Sequence, residues 1–155
     1  MSDNPREDSR MDGYLVAMSL FAAGLAGSAA AHKVRGTRLP LRYVPGDLLL
    51  GGLATHKFTR LLAKDAVTTP IRAPFTDYEE AAGSGEVNES PKHGHVSHTV
   101  GELITCPFCL APWVSSGYVM ALGLTPRLAR AWAAIFSVVT ASDYLQHAYA
   151  RLRTD

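Results

Sequence analysis

Uncharged stretches alternate with charged segments along this chain. Residues 13–31 and 103–126 carry no charged side chain, residues 48–55 form a shorter uncharged stretch, and residues 131–150 contain a single carboxylate, Asp143. A helix crosses a bilayer with about 20 mainly apolar residues. The pattern therefore predicts an all-α fold, a polytopic membrane helical bundle with about four transmembrane helices, at residues 13–31, 46–64, 105–124 and 131–150.

The first predicted helix is rich in small residues. Ser19, Ala23, Gly27 and Ala31 recur at every fourth position, a spacing that lets another helix approach closely in lipid. A secretory signal peptide is the alternative, because Ala29 and Ala31 resemble a cleavage site. The preceding residues hold four carboxylates and two arginines, whereas a signal peptide begins with positive charge. We therefore expect a transmembrane helix behind an acidic, disordered N-terminus at residues 1–12.

The second predicted helix is apolar at its start and amphipathic at its end. Asp47 is a candidate N-terminal cap, and His56, Arg60 and Lys64 follow on one helical face at four-residue spacing. We expect this short helix to span the membrane with its charged end reaching the interface. An orientation partly along the membrane surface is compatible with the same pattern.

Two prolines, Pro107 and Pro112, restrict where the third helix begins, because both cannot occupy its first turn. A helix starting at Pro112 would be about 20 Å long, which is too short to cross a bilayer. We therefore expect Thr105 to cap the helix, Cys106 and Cys109 to lie in its opening turn, and a bend near Pro112.

Four alternating crossings would bring polar residues to one membrane face. A connection at about residues 73–100 lies on that face and lacks periodicity, so we expect a mobile, disordered loop there. The chain would otherwise be a single membrane domain at residues 13–150 with a tail at residues 151–155. The polar residues expected on the loop face are His56, Lys57, Arg60, Cys106, Cys109, Asp143, Gln146 and His147.

Composition and charge add limits on the class of protein. A net charge of +1 gives no basis for nucleic-acid binding, and two cysteines three residues apart cannot form the disulfide framework of a secreted domain. Lysine and arginine are more numerous on the long-loop side but denser in the short opposite loops, so the positive-inside rule points both ways. We expect the long loop and both termini on the cytoplasmic side of the cell membrane, where reduced thiols need no partner.

Two ordered motifs resemble a known family. The string HKFTRLLAKDAVTTPIRAPF, followed after a gap by GELITCPFCLAPWVSS, is similar to bacterial membrane proteins grouped as domain of unknown function 1360, over about residues 53–150. This chain has Phe108 where members usually have tryptophan. The family has no established activity, so the resemblance implies location and architecture only. The family pattern falls on Arg60, Asp65, Thr68, Pro70, Arg72, Gly101, Glu102, Leu103, Cys106, Cys109 and Trp113.

The CPFC sequence at residues 106–109 has three interpretations. It resembles a redox pair, since a helix N-terminus lowers the pKa of a thiol, but the strand and helix alternation of thioredoxin-like proteins is missing. In a second interpretation, both cysteines only pack between helices. The third is a zinc site, in which loop imidazoles complete a set of two thiolates. The candidate zinc ligands are Cys106, Cys109, His93, His95 and His98.

A carboxylate within a membrane helix is costly unless it finds a cation. Asp143 lies in the fourth predicted helix, and Arg60 is expected at the same membrane face. We therefore predict an ion pair between Arg60 and Asp143 that locks the second helix to the fourth.

The predicted function is a structural or partner-binding role in a small integral membrane protein, without a cofactor. A recognisable set of nucleophile, base and oxyanion donors, as an enzyme requires, is not evident in the sequence. The expected partners are the lipid bilayer and either a second copy of the chain or another membrane protein. The alternative is a thiol, zinc or redox centre at the membrane edge.

Overall fold

The computed structural model describes residues 5–153, without the side chains of residues 5–10 and 95, and it is mostly helical. The four long helices are α1 (Pro5–Val34), α2 (Pro45–Lys64), α5 (Pro107–Leu124) and α6 (Pro126–Arg153). Between α2 and α5 lie a 3-10 turn (Ala66–Thr68), the short helix α3 (Thr69–Arg72), strands β1 (Thr76–Gly83) and β2 (Glu86–Pro91), and helix α4 (His95–Thr105).

The helices α1 and α5 run in the same direction. The rings of Phe21 and Trp113 meet with their centroids 5.1 Å apart. Further along both helices, Nε2 of His32 lies 3.2 Å from the carbonyl oxygen of Met120.

The helices α2 and α6 run parallel to each other and opposite to α5. Asp47 pairs with Arg130 at the beginning of α2 and α6, and Lys57 pairs with Asp143 further along both. The hydroxyl of Tyr118, in the second half of α5, donates to the carbonyl of Asp47 at 2.9 Å. The ends of α2 and α6 therefore lie where α5 begins, which is the arrangement that alternate crossings predict.

Small and hydroxyl-bearing residues form the contact between α2 and α6. Ala54 and Ala133 are buried there. Ser137 donates its hydroxyl proton to the carbonyl of Leu50 at 2.9 Å, and Thr140 lies within hydrogen-bonding distance of the carbonyl of Leu53, at 3.2 Å. Such short side chains let two backbones approach closely, as at helix contacts in membranes.

The segment expected to be a disordered loop is folded. Strands β1 and β2 pair in an antiparallel hairpin, whose turn uses left-handed backbone at Gly83, Ser84 and Gly85. Strand β1 exposes every side chain after Thr76, and Val87 and Glu89 are the buried residues of β2. Because so little of the hairpin is apolar and buried, the sequence lacks the alternation that identifies strands.

The helix boundaries differ from the predicted ones at both ends of the chain. Helix α1 begins at Pro5, so residues 5–12, expected to be disordered, are helical; the rest of that predicted leader, residues 1–4, lies outside the described residues. Helix α6 begins at Pro126 and includes residues 151–153 of the predicted tail. Residues 154–155 are likewise outside the description.

The third predicted helix also starts differently, because Cys106 and not Thr105 caps α5. Proline at position 107 disfavours helical geometry in the residue before it, and Cys106 is extended, with φ −108° and ψ 105°. Thr105 instead closes α4 by donating to the carbonyl of Gly101 at 2.8 Å. Helix α5 contains Pro112, and the bend there stays a prediction.

Two helices in the described part of the chain are long and apolar enough to cross a membrane. They are Met11–Val34 within α1 and Pro107–Leu124, which is α5. None of the most apolar stretch of α1 is buried against the rest of the protein. The helices α2 and α6 do not meet the same criterion of length and mean hydropathy with few charges. The fold thus supports two of the four expected crossings by length and composition.

A matched pair of glycine substitutions tests the packing of α2. A Cβ atom at Gly51 would overlap the ring of Tyr118, whereas one at Gly52 would meet nothing within 4 Å. We expect Gly51→Ala to lower the free energy of unfolding by about 1–3 kcal/mol through overpacking. Gly52→Ala should instead stabilise the helix by up to about 1 kcal/mol. Thermal unfolding in detergent measures both, and equal effects of the two substitutions would contradict this packing.

Candidate functional site

The buried guanidinium of Arg72 is the centre of a hydrogen-bonded cluster that joins α2 to the hairpin. The side chains of Arg72 and Glu89 are 1% and 2% exposed. Nε and Nη2 of Arg72 donate to the two carboxylate oxygens of Glu89, at 2.6 and 3.1 Å. The other donors reach Thr68 Oγ1 at 2.6 Å and the carbonyls of Leu62 and Asp65 at 2.7 and 3.1 Å. We call this group the Arg72 cluster.

The sequence around Arg72 builds the cluster by ending one helix and starting another. Thr68 donates to the carbonyl of Leu61 at 2.6 Å, which satisfies a carbonyl left free at the end of α2. Pro70 stands in the first turn of α3, where its fixed φ favours a helix start. Thr76, the first residue of β1, donates to Glu89 Oε2 at 3.0 Å. The cluster therefore draws on residues from α2, α3 and both strands.

Glu89 stays ionised in this cluster. Burial raises the pKa of its carboxyl, but hydrogen bonds from Arg72 and Thr76, together with the charge of Arg72, outweigh burial and hold the pKa below its ordinary value. A charged and hydrogen-bonded pair is what makes burial of both groups tolerable, since either one alone would be an uncompensated buried charge.

A second layer of ion pairs lies closer to solvent. Arg60 donates Nε and Nη2 to the two oxygens of Glu86, at 2.7 and 2.6 Å. Lys57 Nζ lies 3.0 Å from Asp143 and 3.6 Å from Asp65. The predicted ion pair between Arg60 and Asp143 is therefore wrong. Lys57, one turn before Arg60, takes Asp143, while the hairpin supplies the partner of Arg60. The lock between α2 and α6 exists with a different cation.

An open cleft of about 900 Å³ lies between the ends of α2 and α6 and the tip of the hairpin. It brings together most of the polar residues predicted to share one face. The cysteines of that predicted set do not line it. The lining side chains that carry charge or can titrate are His56, Lys57, Arg60, Asp65, Glu86, Asp143, Tyr144 and His147.

The two cysteines lie beside each other at the start of α5. Cys109 Sγ is 2.7 Å from Cys106 Sγ, and the backbone N–H of Cys109 donates to the same sulfur at 3.2 Å. Cys109 is exposed and both are free thiols. Cys106 is the single non-helical residue between α4 and α5, and its side chain caps the N-terminus of α5.

The predicted zinc ligands do not form one group: the two cysteines contact each other, and the described histidines lie elsewhere. His98 Nε2 lies 3.3 Å from Glu102 Oε1, His93 is exposed, and the side chain of His95 is outside the described residues. Within the described part of the chain, no group of three or more His, Cys, Asp or Glu side chains is close enough to hold a metal ion. The zinc site stays a prediction.

The remaining motif residues make contacts between elements. A Cβ atom at Gly101 would overlap the Phe75 carbonyl and Pro91, so only glycine lets α4 lie this close to the hairpin. Glu102 accepts a hydrogen bond from the hydroxyl of Tyr14 at 2.7 Å, and Trp113 packs on Phe21. These residues fasten α4 and α5 to α1 and the hairpin.

Sequence reasoning missed the acidic partners Glu86 and Glu89 and the hydroxyl of Thr76. A signal existed, because half of the acidic residues fall between residues 65 and 102. Such a concentration beside two motif arginines would have pointed to ion pairs rather than to a solvated loop.

Comparison with known proteins gives one family and one relative. The family described as protein of unknown function (DUF1360) matches residues 49–149, a range that contains every motif residue named above. The sporulation protein YjcA of Bacillus subtilis (strain 168) is 28% identical over 86 residues, which cover 54% of this chain and 73% of that protein. No solved structure matches the chain.

Substitutions of the two motif arginines should differ strongly in their effect on stability. Arg72→Ala leaves the buried Glu89 carboxylate without its cation, and we expect a loss of about 3–5 kcal/mol in the free energy of unfolding. Arg60→Ala removes a more exposed pair, for which the expected loss is below about 1 kcal/mol. Thermal or denaturant unfolding in detergent measures both. The double substitution Arg72→Met with Glu89→Leu should recover part of the loss, and equal effects of the two single substitutions would refute the role of the cluster.

Proposed function

Because the chain belongs to the family of proteins of unknown function DUF1360, we propose that it is a multi-pass membrane protein with a structural or partner-binding role and no catalytic activity. The relative from Bacillus subtilis is named for a process, sporulation, and not for a reaction. The observation that carries the proposal is the apolar stretch of α1, which has none of its residues buried in the protein.

Exposed apolar side chains on the other helices support four crossings. Leu49 in α2, Phe108 in α5 and Ile135 and Val138 in α6 are all exposed. Large apolar side chains exposed along three helices suit a membrane or partner contact. In lipid these side chains need no protein cover.

The charged residues within α2 and α6 are compatible with crossing because Asp47, Lys57, Arg60, Arg130 and Asp143 are all paired. Arg130 and Asp143 are separated by about 20 Å of helix, and each is paired, with Asp47 and Lys57 respectively. Paired charges near an interface cost much less than isolated ones at the bilayer centre. Long side chains reach outward to add several ångströms to the apolar thickness.

The hairpin and α4 form a folded cap on one end of the bundle, and the family motif residues hold this cap in place. Because the motif residues make contacts within the protein, they support a structural role. The protein would then present a surface to a second copy of itself or to another membrane protein. With four crossings, both termini lie on the side of the cap, and we assign that side to the cytoplasm, where the thiols of Cys106 and Cys109 remain reduced.

Extraction and thiol labelling test the membrane placement. The full chain should stay in the membrane pellet through alkaline carbonate, and Cys109 should react with an impermeant maleimide only after the cells are permeabilised. In a chain without native cysteines, Leu41→Cys, at a fully exposed position of the connection between α1 and α2, should react in intact spheroplasts. Release of the protein by carbonate, or labelling of both positions from the same side, would rule the proposal out.

A thiol or zinc centre is the second candidate, favoured by the 2.7 Å between the two cysteine sulfurs. In a tetrahedral zinc site, bonds of about 2.3 Å hold two sulfurs about 3.8 Å apart, so the two thiolates would have to separate by about 1 Å to supply half of the ligands, with imidazoles such as those of His93 and His98 as the rest.

Metal analysis distinguishes the two candidates. A zinc centre predicts about one zinc per chain in protein purified in detergent, lost in Cys109→Ser. The control Ser116→Ala, a change away from the thiols on the same helix, should retain the metal. If the purified protein contains no zinc and both thiols react with an alkylating reagent, the zinc centre is ruled out and the cysteines only pack between helices.

A further inference from the structure

The open cleft at the ends of α2 and α6 carries charges of both signs at close range. Lys57 and Arg60 come from α2, Asp143 comes from α6, and Glu86 comes from the hairpin tip. Each cation is already paired with a carboxylate, at 3.0 Å for Lys57 with Asp143 and 2.6 Å for Arg60 with Glu86. The Arg60 side chain is nevertheless 46% exposed and that of Asp143 38%, so both remain open to a ligand.

The balance of charges selects the class of ligand. A purely anionic ligand would face Asp65, Glu86 and Asp143, and a purely cationic one would face Lys57 and Arg60. A ligand with both an ammonium and a phosphate group can replace the partners in each existing pair. Its phosphate would take the cations and its ammonium the carboxylates, so no half-buried charge is left without a partner. Arginine in particular matches a phosphate through two parallel hydrogen bonds.

An apolar track leads from the cleft along the bundle. Leu53 lies one turn before His56 on α2, and Leu49 lies one turn before Leu53; both are exposed. On α6, Val139 precedes Asp143 by one turn and is also exposed. The hydrogen bond from Thr140 to the carbonyl of Leu53 holds these two faces side by side. Acyl chains attached to a polar group in the cleft would lie on this track.

We propose that the cleft binds the headgroup of a phosphoethanolamine lipid, with the phosphate on Arg60 and Lys57 and the ammonium on Asp143 and Glu86. The inference rests on the proposed membrane placement, since the chains of the lipid need the apolar surface to face the bilayer. A primary ammonium can donate hydrogen bonds to carboxylates, whereas the trimethylammonium of phosphocholine cannot, so the site distinguishes these two zwitterions.

Native mass spectrometry of the full-length protein in detergent tests the proposal. The protein is equilibrated with equimolar phosphatidylethanolamine, phosphatidylcholine and phosphatidylglycerol of identical acyl chains. We expect one phosphatidylethanolamine per chain, retained at least about fivefold over the other two lipids, a ratio that corresponds to about 1 kcal/mol. Equal retention of the three lipids, or a preference for phosphatidylglycerol, would overturn the proposal.

Matched variants locate the site. Arg60→Gln and Asp143→Asn should each reduce the preference below about twofold, since each removes one of the two charges that the headgroup requires. Arg130→Gln, which breaks the pair with Asp47 at the opposite ends of the same two helices, should leave the preference unchanged. Asp143 also joins α2 to α6, so the unfolding temperature is measured for each variant. If Asp143→Asn fails to fold, Arg60→Gln decides, and a preserved preference in that variant contradicts the site.

A soluble competitor separates the two sources of this chemistry. Glycerophosphoethanolamine carries the same charges without acyl chains and should displace the lipid only at a large excess. Displacement at equal concentration would mean that the cleft takes a water-soluble zwitterion and would overturn the lipid assignment. Failure of the membrane placement is visible separately, as release by carbonate, so a protein that stays in the pellet without any lipid preference refutes this inference alone.

Discussion

The hairpin end of the molecule depends on the burial of Arg72 with Glu89. Removal of each charge from water costs several kcal/mol, and the pair is stable only if the remaining donors also find acceptors. Those acceptors come from the end of α2 and from the 3-10 turn. Residues far apart in sequence must therefore be in place together, so the segment between them cannot stay unfolded. This requirement explains a folded hairpin in a stretch whose composition is polar.

A different constraint governs the contact between α2 and α6. Hydroxyls of Ser137 and Thr140 lie against carbonyls of the neighbouring helix, and Gly51 makes room for the ring of Tyr118. In the proposed bilayer placement, lipid supplies no hydrophobic drive between these helices, so close packing and such bonds carry the association. The ion pair of Lys57 with Asp143 continues the same contact to the cleft, which links the packing of the bundle to the proposed ligand site.

The sequence was sufficient for the long helices and insufficient for the contacts between segments. Uncharged length located α1, α5 and α6, and a candidate cap followed by four-residue spacing located α2, because these patterns are properties of each segment by itself. The hairpin was missed because it buries few side chains and its stability comes from Arg72. The predicted partner of Arg60 was wrong for a similar reason. The hairpin supplies Glu86 to Arg60 and so leaves Asp143 to Lys57, and no local pattern in the sequence encodes the position of the hairpin. The expected alternation of helix directions did place most of the polar residues at one end of the bundle.

Helix α1 differs in kind from the remainder of the bundle. It lies outside the range matched by the family, residues 49–149, and it touches α4 and α5 at Tyr14, Phe21 and His32 while most of its surface is exposed. In water that exposure would cost roughly 25 cal/mol for every Å² of apolar surface; in lipid it costs nothing. The proposed bilayer placement covers this apolar surface. Its direction has a consequence for the whole chain, since α1 starts at the end of the bundle that holds the hairpin. The start of α1 therefore lies at the end of the bundle where the cleft, the hairpin and the end of α6 are found, and α2 begins at the opposite end.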